Sequence, residues 1–302
     1  MLANSTLMAK QNLLFSDFSD PTKDSSSTDP LSFGELNTGT WWKNAHQHEC
    51  TNDNDVLWPL IMFIDGMKVD NISGKLKLEP ISFTFSRFKR FVRHQDNAWR
   101  TWAYMEEVKQ PPPSRPVGEE DPILTAKERL QEYHDILNFL MKQLRKIQQH
   151  GMKWTLDFGA NGMHDVVLKL PLQFIIGDCE GHDKLAGRFK GHTHNIKGLC
   201  RDCDIPTQFS DDENWVCSYF IQNEMEALTE EELRSYSFHK INNGLHGVST
   251  GGSPRGIFGM LIPEMLHLYK SGHCDWQFDS FVYSMSGKCT EVTTQVCTSV
   301  ST

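Results

Sequence analysis

No apolar run in this chain approaches the roughly 18 to 20 residues that cross a bilayer. Its first residues also lack the basic flank and apolar core of a signal peptide, so a soluble, intracellular protein is expected. A surplus of positive charge is missing too: 30 Lys and Arg stand against 39 Asp and Glu, a net charge of -9. Proteins that coat nucleic acid neutralise phosphates with excess cations, so any contact with DNA must be local. Nor is there a disulfide framework. Eight cysteines spread over 302 residues, with no secretion signal, suit free thiols or metal ligands. Only Cys200 and Cys203 have ligand spacing, and no internal repeat is visible. With 38% hydrophobic residues, the chain can bury one principal domain carrying insertions.

Residues 1–40 are rich in Ser, Asp, Thr and Asn and read as an unordered tail. Three strands are expected next, over 56–65, 76–86 and 98–106. In the second, Ile81, Phe83 and Phe85 alternate with Ser82, Thr84 and Ser86, the period of a half-buried strand. After Pro111-Pro-Pro113, Thr125 and Glu128 form a capping box at the head of a long helix. Its apolar face runs through Leu130, Tyr133, Leu137, Leu140, Leu144 and Ile147 until Gly151 stops it. A strand over 153–158 and a buried strand over 166–176 follow. Residues 181–252 read as an insertion with one short helix from Thr229, capped by Glu232. The core resumes over 253–273, and 274–302 is an irregular tail. The resulting fold class is α/β: three strands, a helix, a buried strand, an insertion and a last helix, the element order of an RNase H-like mixed sheet flanked by helices. The core's first part then covers 55–180, and the cysteine-containing insertion falls between the fourth core strand and the last helix.

Three acids stand at telling places in that order. Asp65 and Asp178 end the apolar runs Pro59-Leu-Ile-Met-Phe-Ile-Asp65 and Leu170-Pro-Leu-Gln-Phe-Ile-Ile-Gly-Asp178, and Glu264 opens the expected late helix. Carboxylates at such positions can hold two Mg2+ or Mn2+ ions for phosphoryl transfer. Asp65 would bridge the ions, and Asp178 and Glu264 would hold one each. Singly, a strand-end Asp often only bonds turn amides, and Glu264 after Pro263 is an ordinary first-turn acid. Asp70 competes with Asp65, and Glu180 and Asp183 compete with Asp178 for the second position.

Cys200-Arg-Asp-Cys203 supplies half of a tetrahedral Zn2+ site. Cys217 is the natural third ligand, and His194, His239 or His246 could be the fourth. Free thiols or a redox pair are the alternatives. A small hydrolase built on His192, His194 and Cys200 is disfavoured, since catalytic zinc prefers ligands on rigid elements. The segment holding Arg87, Lys89, Arg90 and Arg93, with Arg100 beyond, interleaves cations with aromatics. It could follow a nucleic-acid backbone or blunt a strand edge.

Several of these short elements, taken in order, resemble the core of the Plavaka-like transposases, relatives of the CACTA superfamily of cut-and-paste transposons. They are Asp65 in a Phe-Ile-Asp strand, Leu78-Glu-Pro80 with Phe83-Thr84, Ala98-Trp-Arg100, Phe174-Ile-Ile-Gly-Asp178, the Cys200-x-x-Cys203 pair and Pro263-Glu-Met-Leu-His267. The resemblance spans about residues 55–273. It implies an RNase H-like DDE/D domain with a cysteine-bearing insertion, Asp65, Asp178 and Glu264 as the acid set, and DNA at transposon ends as partner. It also implies a nuclear location and, for an active enzyme, a homo-oligomer. Such transposases run several hundred residues longer, so the expectation is a transposase-derived core that is either active or a remnant binding DNA without cleaving it.

Overall fold

The computed structural model describes residues 1–14, 34–68, 77–106, 125–157, 162–189, 198, 200–209, 212 and 214–262. Along the chain these form α1 (Thr40–Glu49), β1 (Asp55–Leu57), β2 (Leu60–Ile64), β3 (Met67–Lys68), β4 (Lys77–Phe85), α2 (Arg90–Arg93) and β5 (Arg100–Glu106). They continue as α3 (Ala126–His150), β6 (Met152–Asp157), β7 (Met163–Lys169), β8 (Leu172–Ile176), α4 (Cys179–Ala186), α5 (Gln222–Ala227) and α6 (Glu230–Ser235). The architecture is mixed α/β, with two mixed sheets flanked by helices.

Two prolines divide what reads in sequence as two long strands. Pro59 separates β1 from β2 and Pro171 separates β7 from β8, because proline has no N–H for a ladder. The parallel pairing of the two runs nevertheless persists across both breaks. β1 pairs with β7 and β2 with β8, and Trp58 N–H and Leu60 N–H bridge the gap to the Lys169 and Pro171 carbonyls at 2.6 and 2.9 Å. One parallel ribbon thus belongs to both sheets. In the smaller sheet the order is β1-β7-β6, with β6 antiparallel to β7.

In the larger sheet β4 pairs antiparallel with β2 and β3 on one side and with β5 on the other. Ile64 faces Ile81 and Met67 faces Leu78 in one register, so β3 continues the line of β2 after a break at Asp65-Gly66. Opposite that break stands Pro80, which offers no N–H. Beyond β8, Leu261 forms an isolated parallel bridge to Ile175.

α3 carries the predicted capping box: Glu128 N–H donates to Thr125 Oγ1 at 3.2 Å, and Thr125 N–H to Glu128 Oε2 at 2.6 Å. It ends at Gly151, whose φ of 70° lies in the region that favours glycine. The buried face is Tyr133, His134, Leu137, Met141, Leu144 and Gln148, rotated from the purely apolar reading. His134 and Gln148 belong to it because they bind backbone. Gln148 takes the Ser249 N–H at 2.9 Å and donates to the Leu170 carbonyl at 2.8 Å. Gly244 N–H donates to His134 Nδ1, which leaves Nε2–H to meet the Lys184 carbonyl, both at 3.0 Å. Burial holds this imidazole down to about 4, as a neutral ring.

The composition of residues 1–40 predicted no order, yet Leu7, Leu13 and Leu14 are buried and Leu13 bridges Phe88. A few well-placed leucines outweigh a polar background when a core can receive them.

Candidate functional site

β2 and β8 are parallel neighbours, with Phe63 opposite Ile176. Asp65 and Asp178 each follow two residues later, so residues far apart in sequence leave adjacent strands at the same level. Gly177 is required by this close approach: a Cβ there would lie 2.6 Å from the Ile64 carbonyl oxygen. Both acids are half-buried. Asp178 is also the N-cap of α4, its Oδ1 accepting from Gly181 N–H at 2.6 Å. The cap uses one of its two carboxylate oxygens.

The competing carboxylates separate by their surroundings. Asp183 Oδ1 accepts from both Arg188 and Arg201 at 3.0 Å and is neutralised there, while Glu180 is exposed on the first turn of α4. Asp70 and Glu264 lie outside the described residues, as do His192 and His194. Among the described residues no three His, Cys, Asp or Glu side chains are gathered as a ready metal-binding group.

His182, which sequence reasoning passed over, is fully buried one turn into α4, and neither ring nitrogen makes a hydrogen bond of normal geometry. A Cβ on Gly177 would sit 3.4 Å from its Nε2, so the ring packs directly behind the strand end that carries Asp178. Burial first, and the Arg201 charge after it, bring its pKa down to about 4. The only signal in the sequence was a histidine on the inward face of a short helix.

No protein-family model matches this sequence, and no curated protein is detectably similar to it.

The basic segment divides into inward and outward groups. Arg87 has no exposed surface. Its Nε donates to the Leu57 carbonyl at 2.8 Å and a terminal nitrogen to Leu14 at 2.7 Å, and the guanidinium lies over Trp42 and Trp58. It ties the N-terminal segment to β1 and cannot contact DNA. Arg93 is likewise engaged, with Glu35 at 2.9 Å and the Ser86 and Phe88 carbonyls. Both are corrections to the alternating pattern, which does not distinguish a buried from an exposed arginine. Arg90 and Arg100 are exposed and Lys89 half-buried, so these three keep the expected accessibility.

In the cysteine loop, Cys203 bridges Tyr219 antiparallel, a register that puts Cys217 opposite Ile205. Burial pushes the pKa of the Cys203 thiol up, and the Cys200 and Cys217 thiols act in the same direction. His246 does not join them. Its Nδ1 pairs with Glu226 at 3.1 Å, and with His239 it lines a cavity whose wall contains no cysteine. A fourth ligand was sought there from residue type alone, and chain proximity did not supply it.

Proposed function

We propose that this chain is a transposase-derived polynucleotidyl transferase core of the RNase H-like type, acting on DNA through Asp65 and Asp178. The supporting observation is the parallel pairing of β2 with β8, which sets the two acids side by side at the ends of neighbouring strands. The strand order agrees with that reading: an antiparallel set of β5, β4 and the β2–β3 line, with β8 parallel beside it. Glu264 is the proposed third acid on sequence grounds.

The fit to a hard divalent cation rests on the donor set: two half-buried carboxylates, with Asp178 held in one orientation by its cap. A bound Mg2+ or Mn2+ pair supplies charge stabilisation and lowers the pKa of the attacking water or 3′-hydroxyl. The chain's contribution is placement. Gly177 lets the strands close, the cap restricts the rotamer of Asp178, and the buried ring of His182 fills the space behind it. Exposed Arg90 and Arg100, with half-buried Lys89, offer phosphate contacts as the accessible members of the basic segment.

Nicking of supercoiled plasmid DNA in Mn2+ tests the proposal with Asp65→Asn and Asp178→Asn. Asparagine caps a helix as well as aspartate does, so the fold should stand while the charge is lost. Expected is a loss of nicking of at least about 100-fold in each variant, the scale on which charged active-site groups act. Undiminished nicking in either would refute the assignment. DNA binding by the unmodified chain with no metal-dependent nicking would leave only the non-catalytic binding role.

A further inference from the structure

α5, α6 and the chain from Phe238 to His246 surround a cavity of about 240 Å3, and the turn that carries Phe258 completes its wall. One part of that wall is apolar. Met225, Leu233, Phe238 and Phe258 are all buried, and the two phenyl rings meet edge to face at 5.8 Å. These groups offer water no hydrogen bond, so an apolar occupant gains by displacing it. At roughly 30 Å3 per water molecule, the space holds about eight of them, or one small ring system.

The polar part of the wall is set by hydrogen bonds that engage some atoms and leave others. Glu226 Oε1 accepts from Gln222 Nε2 at 2.8 Å and lies 3.1 Å from His246 Nδ1. A carboxylate only accepts, so Nδ1 carries the proton and Nε2 of the neutral ring is left as an acceptor. Among the described residues nothing donates to that Nε2. Lys240 is engaged elsewhere: its ammonium donates to the Glu226 and Leu228 carbonyls, both at 2.7 Å, and closes the end of α5. Its charge offsets that of Glu226 on the same wall. His239 packs on Phe189, with ring centres 4.4 Å apart. Burial lowers the pKa of both imidazoles, so neither adds a charge at neutral pH.

We infer that this cavity binds a small, neutral, planar heteroaromatic molecule whose ring N–H or O–H donates to His246 Nε2. An anion there would face the Glu226 carboxylate and a cation the Lys240 ammonium, each drawn out of water. An aliphatic ligand of the same size would fill the apolar part and leave Nε2 covered without a donor. Glu226 is a positioning residue: it acts through the imidazole, fixing the tautomer that accepts. The cavity shares no residue with the Asp65 and Asp178 site, and binding in it does not depend on nuclease action.

The probes are indole and benzothiophene, which share one bicyclic shape while only indole carries an N–H. On the full chain labelled with carbon-13 at the methionine methyls, indole should move the Met225 resonance, assigned with Met225→Leu, in a saturable way. Its dissociation constant should be about 1 mM or tighter, within reach of a ligand of about nine heavy atoms. His246→Phe keeps a ring and removes the acceptor, so the preference for indole over benzothiophene should fall about 5-fold or more while benzothiophene still binds, the scale of one hydrogen bond. Glu226→Gln guards against misfolding of that variant: it releases the tautomer and should lower the same preference. No saturable shift at Met225 with either probe, or an indole preference that neither variant lowers, would overturn the assignment.

Discussion

Residues 55–176 and residues 179–262 are held together by different means. In the first region the strands bury continuous apolar faces, with Val56, Leu57, Trp58, Met62, Ile81, Leu168, Leu172 and Ile175 at or near zero exposure. In the second, helices of six to eight residues are spaced by loops tied down one contact at a time. Asn243 donates to the Leu185 carbonyl, Lys240 to the Glu226 and Leu228 carbonyls, Arg188 and Arg201 share Asp183, and one aromatic group of Phe220, Phe238 and Phe258 sits beneath. Nonspecific burial tolerates substitution by similar shapes, whereas side chain to backbone bonds depend on one donor at one place. Asp65 and Asp178 lie where the first kind of structure meets the second.

The difference is broken most forcefully in the core. Leu137→Ala removes a fully buried side chain from the inner face of α3 and should cost about 4 kcal/mol, read as a lower urea midpoint with an unchanged slope.

A smaller effect comes from His134, which links α3 to the loop at Gly244 and to α4. Its ring is neutral in the folded chain because burial lowers its pKa to about 4. As pH falls below about 6.5, the unfolded chain takes up the proton first. The stabilisation is complete above that pH and is lost progressively down to about 4, for a total of about 3 kcal/mol. Denaturant titrations at several pH values should show this loss in the unmodified chain and a flatter profile in His134→Gln. Equal slopes in both would assign the acid sensitivity elsewhere.

The gentlest comparison uses the capping box that occurs in both regions, Thr125 with Glu128 and Thr229 with Glu232. Removing either hydroxyl by Thr→Ala should cost roughly 1 kcal/mol. For Thr125 the cost should appear in global unfolding. For Thr229 it should appear as faster amide exchange in α6 alone, because short helices on loops open separately from a sheet core. A global cost for both would mean that the two regions unfold as one.

The strands, the long helix, both capping boxes and the stop at Gly151 were legible from residue order, because period, cap and turn chemistry are properties of near neighbours. The division of each long strand was legible in principle at Pro59 and Pro171. Other features were not. Arg87 and Arg90 stand three residues apart in one basic stretch, yet one is sealed beneath two tryptophans and the other faces solvent. His134 and Gln148 look like interruptions of an apolar stripe and are buried within it, since the loop at 244–249 brings the backbone groups they bind. His246 has the right residue type for a ligand and the wrong neighbour, Glu226.

By itself, then, the chain's order of residues determined the main strands, the long helix with its cap and its stop, the short capped helix from Thr229, and which positions carry candidate chemistry, while the short helices α1, α2, α4 and α5 were not read from it. Tertiary structure alone decided that β2 runs beside β8, so that Asp65 and Asp178 leave the sheet at one level, and that the Cys203 strand pairs with Tyr219. Local preferences act over a few bonds, whereas these juxtapositions require loop closure over long separations. That closure is stabilised only when the apolar surface of the whole core is buried at once.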